Sequence, residues 1–259
     1  MFGLGNTRFE RISNLVNTFA FDHLEPKHMA PVGGWRNMTG AGHLVQFYQD
    51  DDFVVDLISR YLTHGIRVGD HCLVVLTAKH LKKVEERLEV SLRDLFQSAR
   101  EDGRYTALDA HQALAQFMKG DTPDPVAVEE AVQPFIKRAG GAKTRALGEM
   151  VGLLVTQGNP KGAVELERLW NEMQYKHGFA IFCIYPIKDL AQPAASQYFS
   201  DICCNHSHVF PDETYSSLTS ADERLRAIAQ LQLKTLQLEM KVADPNGKFS
   251  DGSSSDSAL

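Results

Sequence analysis

His43-Leu44-Val45-Gln46-Phe47-Tyr48-Gln49-Asp50-Asp51-Asp52-Phe53 is a short apolar run that breaks into acid and restarts at Phe53. That is the pattern of a strand, a turn and a helix. In an α/β chain the turn after the first strand, with the next helix N-terminus, is where a phosphate-binding loop is expected. Here the turn has no glycine, lysine or threonine, and three aspartates stand where backbone N–H groups and a lysine would cradle phosphate oxygens. Three negative charges repel such a ligand. Asp50 or Asp51 suits a helix cap, and acids at a helix start complement its dipole. A ligand or metal role for Asp50 or Asp51 is the alternative.

Working outward, Phe53, Val54, Leu57, Ile58, Tyr61 and Leu62 make one helical stripe, punctuated by Gly65 and Gly69. His71 to Leu76 is continuously apolar, as a strand covered on both faces would be. Thr77 is placed to cap a helix over 78–90, after which residues around Leu92, Leu95 and Phe96 look looser. Tyr105 to Leu108 reads as a short strand, and Asp109 caps a helix with Leu114 and Phe117. A helix with Val126, Val128, Val132, Phe135 and Ile136 ends at Gly140-Gly141, and Pro134 inside it predicts a kink or an early end. Thr144 to Met150 reads as a strand ending in an acid, Val151 to Val155 as a short helix, 160–177 as a strong amphipathic helix, and Phe179 to Tyr185 as a buried strand stopped by Pro186. Strand and helix alternate about five times, which predicts an α/β fold: a mostly parallel central sheet with helices on both faces. Beyond Pro186 the alternation stops. A helical piece around 195–205 leads to a last long helix over about 219–242, with Ser220 and Glu223 spaced as a capping box and Leu225, Ala229, Leu233, Leu236 and Met240 near heptad spacing.

The expected organisation is an N-terminal arm and linker at 1–42, an α/β domain at 43–215, a C-terminal amphipathic or coiled-coil helix at 216–243 and a disordered tail at 244–259. In the arm, Phe9, Ile12, Leu15, Val16 and Phe19 recur at helical spacing before a proline- and glycine-rich segment. The 259 residues carry a net charge of −6, which argues against direct nucleic-acid binding. No run approaches transmembrane length and the N-terminus lacks a signal-peptide pattern, so a cytoplasmic protein without a membrane partner is expected. The four cysteines fit as reduced thiols.

Ligands bind beyond the carboxyl ends of parallel strands, so the polar residues there are the first candidates. Tyr48, Gln49 and Asp50 follow the first strand, Glu149 the fourth and Tyr185 the fifth. Glu149 is the most informative, because an acid after a buried strand is desolvated unless partnered, and it serves either a ligand or a structural hydrogen bond. Trp170 with Asn171 lines a pocket or belongs to the core, and Phe47 faces the same choice. Cys203 and His206, at i and i+3, are weak zinc candidates with no second pair at zinc-finger spacing; a histidine in a pocket wall or a redox-responsive thiol is as plausible. No Ser-His-Asp arrangement, glycine-flanked nucleophile or dinucleotide fingerprint is present, so an enzyme is not expected.

Taken in order, His43-Leu-Val-Gln-Phe-Tyr48 with its acids, Gly69-Asp70 before Cys72-Leu-Val-Val-Leu-Thr77, Gly148-Glu149-Met150-Val151, Leu166-Glu167-Arg-Leu-Trp170-Asn171 and Cys183-Ile-Tyr185-Pro186 resemble the MEDS family, the methanogen/methylotroph DcmR-type sensory domain. Ile202-Cys203, His206, Val209, Pro211, Glu213 and Tyr215 look like its C-terminal part. The resemblance covers roughly 43–240. It implies a KaiC/RecA-like core without a Walker motif, and a sensory role for small molecules, proposed to include hydrocarbon derivatives, often joined to histidine kinases or transcriptional regulators. In such proteins the last helix continues into the output domain; here only a polar tail follows, and 1–42 does not look like a helix-turn-helix, so the output is expected through a partner.

The resulting expectation is a stand-alone sensor with a small ligand among Phe47, Tyr48, Asp50, Glu149, Trp170, Asn171, Tyr185 and His206. Its C-terminal helix would form a homodimer or dock on a histidine kinase or regulator. The alternatives are an interaction scaffold on a degenerate ATPase fold and a metal- or nucleotide-dependent enzyme using Glu149 and the aspartates. No cofactor is named by the sequence.

Overall fold

In a computed structural model, residues 42–140, 143–218 and 220–243 are described; the readings made on 1–41 and on the tail from 244 lie outside them. The chain divides into two units, residues 1–217 and 218–259. In the first, β1 (His43–Tyr48), β2 (His71–Leu76), β3 (Tyr105–Asp109), β6 (Thr144–Gly148), β7 (Ala180–Pro186) and β8 (His208–Phe210) form one parallel sheet in the order β3-β2-β6-β7-β1-β8. A two-residue hairpin, β4 (Met118–Lys119) and β5 (Thr122–Pro123), stands apart from it.

Helices cover both faces, which is why β1 and β2 are buried at every residue. Alternate side chains enter opposite cores. On one face Leu44 and Tyr48 of β1 meet α1 (Asp51–Arg67), α2 (Ala78–Leu92) and α3 (Asp94–Glu101). On the other, Val45 and Phe47 meet α4 (Ala110–Phe117), α5 (Pro125–Ala139), α6 (Met150–Thr156) and α7 (Pro160–His177).

Local chemistry sets the element ends. Asp50 caps α1 by accepting from the Phe53 N–H at 2.8 Å, Asp109 caps α4 through Gln112 N–H at 3.0 Å, and Asn159 caps α7 through Gly162 N–H at 2.8 Å. Gly140 and Gly178 close α5 and α7 in the left-handed conformation. Thr77 occupies the cap position of α2 without a side-chain cap bond; the Glu149 carboxylate takes its N–H instead.

Four sequence expectations need correction. The looser region after Leu92 is helix α3, held by buried Phe96 and Ala99, with Arg100 over the Phe96 ring. Helix α5 runs past Pro134 to Ala139, because Val128, Val132 and Phe135 anchor its face and outweigh one missing N–H bond. After α8 (Ile187–Leu190), the piece around 195–205 is helical but broken into two short helices, α9 (Pro193–Ser196) and α10 (Phe199–Cys204). Alternation also does not stop at Pro186: β8 adds a sixth parallel strand beside β1, and α11 (Glu213–Ser216) follows.

Helix α6 lies so close to β7 that a Cβ on Gly152 would stand 2.6 Å from the Ile184 carbonyl oxygen and 3.0 Å from Pro186 Cδ. Gly152→Ala is therefore expected to destabilise by about 1–3 kcal/mol through forced displacement, against a helix-propensity gain of at most about 1 kcal/mol. Urea denaturation checks this; a stabilised variant would show that α6 moves freely.

In the second unit, α12 (Ala221–Ala243) starts with the expected capping box. Ser220 Oγ accepts from Glu223 N–H at 3.1 Å, and Glu223 accepts from Ser220 N–H at 2.9 Å. Among the described residues no helix is long and apolar enough to cross a membrane.

Candidate functional site

Among the described residues, one polar cluster lies at the carboxyl edge of the sheet and another inside a covered face. The edge cluster forms where β2 and β6 lie side by side while their connections leave toward opposite faces, the arrangement that opens a crevice in α/β sheets. Glu149, 5% exposed, follows β6 there. Its carboxylate accepts from Thr77 N–H and lies 2.7 Å from His80 Nδ1. His80 Nε2 lies 3.5 Å from Asp51, which pairs with Lys79. The Tyr48 ring stands 6.2 Å from the His80 ring, and its phenol is pushed up by burial and by Glu149, Asp51 and Asp189. Burial alone favours neutral His80; its bond to Glu149 and the charges of Glu149 and Asp51 outweigh that, so its pKa lies above 6.5.

A folded-state pKa above the unfolded value means the protonated pair adds stability below about pH 6.5 and loses it as pH rises through the folded pKa. Urea stability of the wild type is expected to fall over that rise, and Glu149→Gln to flatten the profile. A wild-type profile identical to that of Glu149→Gln would show His80 uncoupled from Glu149.

The face cluster is built by four segments distant in sequence. His43 opens β1, Cys183 and Tyr185 point from β7, Glu167 lies on the buried side of α7, and His206 follows α10; all are buried. Glu167 shares the face of Trp170 and Asn171, three and four residues on. Ser207 brings His206 to His43: its Oγ accepts from His43 N–H at 3.0 Å, its own N–H donates to the His43 carbonyl at 2.8 Å, and the two imidazole centroids lie 4.1 Å apart. Glu167 Oε2 is 3.1 Å from His43 Nε2 and accepts from the Cys183 thiol at 3.3 Å. Glu167 Oε1 accepts from the Tyr185 hydroxyl at 2.7 Å and lies 3.4 Å from His206 Nε2. Burial alone would protonate Glu167; the facing His206 and His43 outweigh it and hold the carboxyl well below its usual range. Burial, and then that carboxylate, push the Cys183 thiol and the Tyr185 phenol well up.

The family model described as MEDS, for methanogen/methylotroph, DcmR sensory domain, matches residues 42–207, the span that holds both clusters. The chain belongs to the MEDS family. Among curated proteins none matches it. A solved structure, an uncharacterized protein of Pyrococcus horikoshii in complex with an unknown peptide, is similar over 67% of this chain and 78% of that one, with a TM-score of 0.52 and 11% identity. That likeness concerns the fold.

Within this MEDS domain the sequence-derived site residues separate. Tyr48 and Glu149 belong to the edge cluster, and Asp50, next to it, caps α1. Asn171, Tyr185 and His206 belong to the face cluster. Phe47 packs in the core on the Tyr185 and Phe199 rings, at 6.0 and 5.1 Å. Trp170 is also core, beside an apolar cavity of about 20 Å³ that touches Cys183. Cys203 is half-buried, and the donor group around His206 consists of His43, Glu167 and Cys183 without it. The three residues missed from sequence carry one signal each: a histidine opening a buried strand, an acid on the apolar face of a helix, and a thiol inside a buried strand.

Proposed function

We propose that this MEDS domain is a small-molecule sensor whose ligand is taken up at the carboxyl edge of the sheet, and whose output passes through α12 to a second copy, a histidine kinase or a transcriptional regulator. The carrying observation is the Glu149–His80–Asp51 chain at the carboxyl ends of β2 and β6, which links the end of one strand to the starts of α1 and α2. A ligand that competes for Glu149 would break this chain and shift α2. With Glu149, Asp51 and Asp189 around the Tyr48 phenol, the edge suits neutral or cationic molecules with hydrogen-bond donors and disfavours anions. Asp50 already caps α1, and Asp52 pairs with Lys83 at 3.0 Å, which supports a binding role over phosphate chemistry. The four free thiols fit a reducing compartment.

The test is a thermal-shift and native mass spectrometry screen of small alcohols, amides, amines and carboxylates. The reading expects stabilisation by a neutral or cationic compound, lost in Glu149→Gln and weakened in Tyr48→Phe. A silent screen, or a hit indifferent to both variants, would sink it.

One observation favours a second reading, an interaction scaffold: Trp170 and Tyr185 are packed, and the cavity beside Trp170 has room for about one water-sized group. A silent screen together with direct binding of a kinase or regulator would decide for the scaffold.

A further inference from the structure

Two imidazoles, a carboxylate and a thiol meet in the face cluster, and their orientation is fixed from outside. The Ile202 carbonyl can only accept, so the 2.7 Å bond to His206 Nδ1 places a hydrogen on that nitrogen and turns Nε2 inward, the nitrogen that binds a metal when the ring is neutral. Asn171 donates from Nδ2 to the Asn205 carbonyl at 2.8 Å, which turns its Oδ1 to His43 Nδ1 at 2.9 Å. His43 Nδ1 is therefore the donor as well, and its Nε2 also faces the cluster. His206 Nε2 makes no hydrogen bond although its side chain is fully buried. Two inward imidazole nitrogens, a carboxylate and a sulfur converging on one buried point are a donor set that a cation can hold.

The spacing comes close to that of one. Ligands about 2.0–2.3 Å from a tetrahedral zinc lie about 3.3–3.8 Å from one another. His43 Nε2, Cys183 Sγ and Glu167 Oε2 form a triangle with sides of 3.1, 3.2 and 3.3 Å, and His206 Nε2 stands 3.4 Å from the other Glu167 oxygen. All four donors lie within 4.8 Å of one another. We propose that His43, Glu167, Cys183 and His206 hold one transition-metal ion of the zinc class in a closed, four-coordinate site.

A sulfur donor with two imidazoles excludes magnesium and calcium, and four protein donors leave no open position for a reacting water. The ion would join β1, β7, α7 and the turn into β8, fastening the three-residue edge strand that sequence periodicity does not show. On binding, the Cys183 S–H bond breaks, the sulfur–metal bond forms and the proton leaves to solvent, with no redox change. Asn171 is a positioning residue, acting on the metal through His43. The site lies on the sheet face and does not depend on the edge ligand.

The test uses the full chain, purified without chelator or metal-affinity tag. Elemental analysis and native mass spectrometry are expected to give one zinc per chain. After chelation, cobalt(II) titration is expected to saturate at one equivalent, with tetrahedral visible bands and a thiolate-to-cobalt charge-transfer band. Cys183→Ser should abolish the charge-transfer band, and Asn171→Ala should keep it while weakening affinity about 10- to 100-fold. Cys203→Ser and Glu149→Gln should load fully. If Cys183→Ser fails to fold, the wild type decides by itself: metal-free chain, folded by circular dichroism, that takes up no cobalt overturns the site. So does a charge-transfer band that survives Cys183→Ser or disappears in Cys203→Ser.

Discussion

Glu167→Ala, measured on metal-free protein, is expected to be about 3–5 kcal/mol less stable than the wild type, the usual cost of removing one partner from a buried charged pair. For a chain of this size that is a fall in Tm of roughly 6–20 °C. The magnitude follows from how many groups depend on this carboxylate. It faces His43 and His206 and accepts from Cys183 and Tyr185, all of them buried. Alanine takes the acceptor from the Cys183 thiol and the Tyr185 hydroxyl and the facing carboxylate from the Nε2 edges of His43 and His206. Glu167→Gln keeps the volume and one acceptor oxygen, and is expected to cost less. Tyr185→Phe removes one bond to a charged group, about 1.5–3 kcal/mol. Urea denaturation of the three variants should rank alanine first. Equal losses for alanine and glutamine would mean that Glu167 contributes its charge and no volume.

The fold was largely legible because the signals that fix it are local. His71 to Leu76 is apolar at every position because both sheet faces are covered, and the Asp50 turn excludes a phosphate loop by its own charge. Glu149 was legible for the same reason, as an acid at the end of a buried strand. The face cluster was not, because residues 43, 167, 183 and 206 meet only once β7 and β8 flank β1. Edge strand β8 has three residues, too few for a period of two to be read. Phe47 and Tyr48 hold a further lesson. Neighbours in a strand point to opposite faces, so they could not share one pocket, and strand parity applied to β1 and β7 would have grouped His43 with Cys183 and Tyr185.

Trp170→Ala is expected to cost about 3–5 kcal/mol, the range for deleting a buried aromatic. Trp170 is 4% exposed on α7, facing β6 and β7. Its loss would enlarge the cavity of about 20 Å³ already lined by Leu73, Val75, Met150, Val151 and Ile181. Those walls are apolar, so the larger void is expected to stay dry and to admit a benzene-sized guest. Benzene or toluene should then raise the Tm of Trp170→Ala and leave the wild type unchanged, with about 2.7 kcal/mol recovered at a hundred times the dissociation constant. Trp170→Phe retains most of the packing and should lie between the two proteins. A loss under about 1 kcal/mol in Trp170→Ala would instead place the indole in the wall of an open site, since surface changes usually stay within about 0.5 kcal/mol. The comparison governs how any loss of sensing in Trp170→Ala is read. A ligand response that returns when benzene restores stability was lost through the core, whereas one that stays lost after restoration was lost at the tryptophan itself.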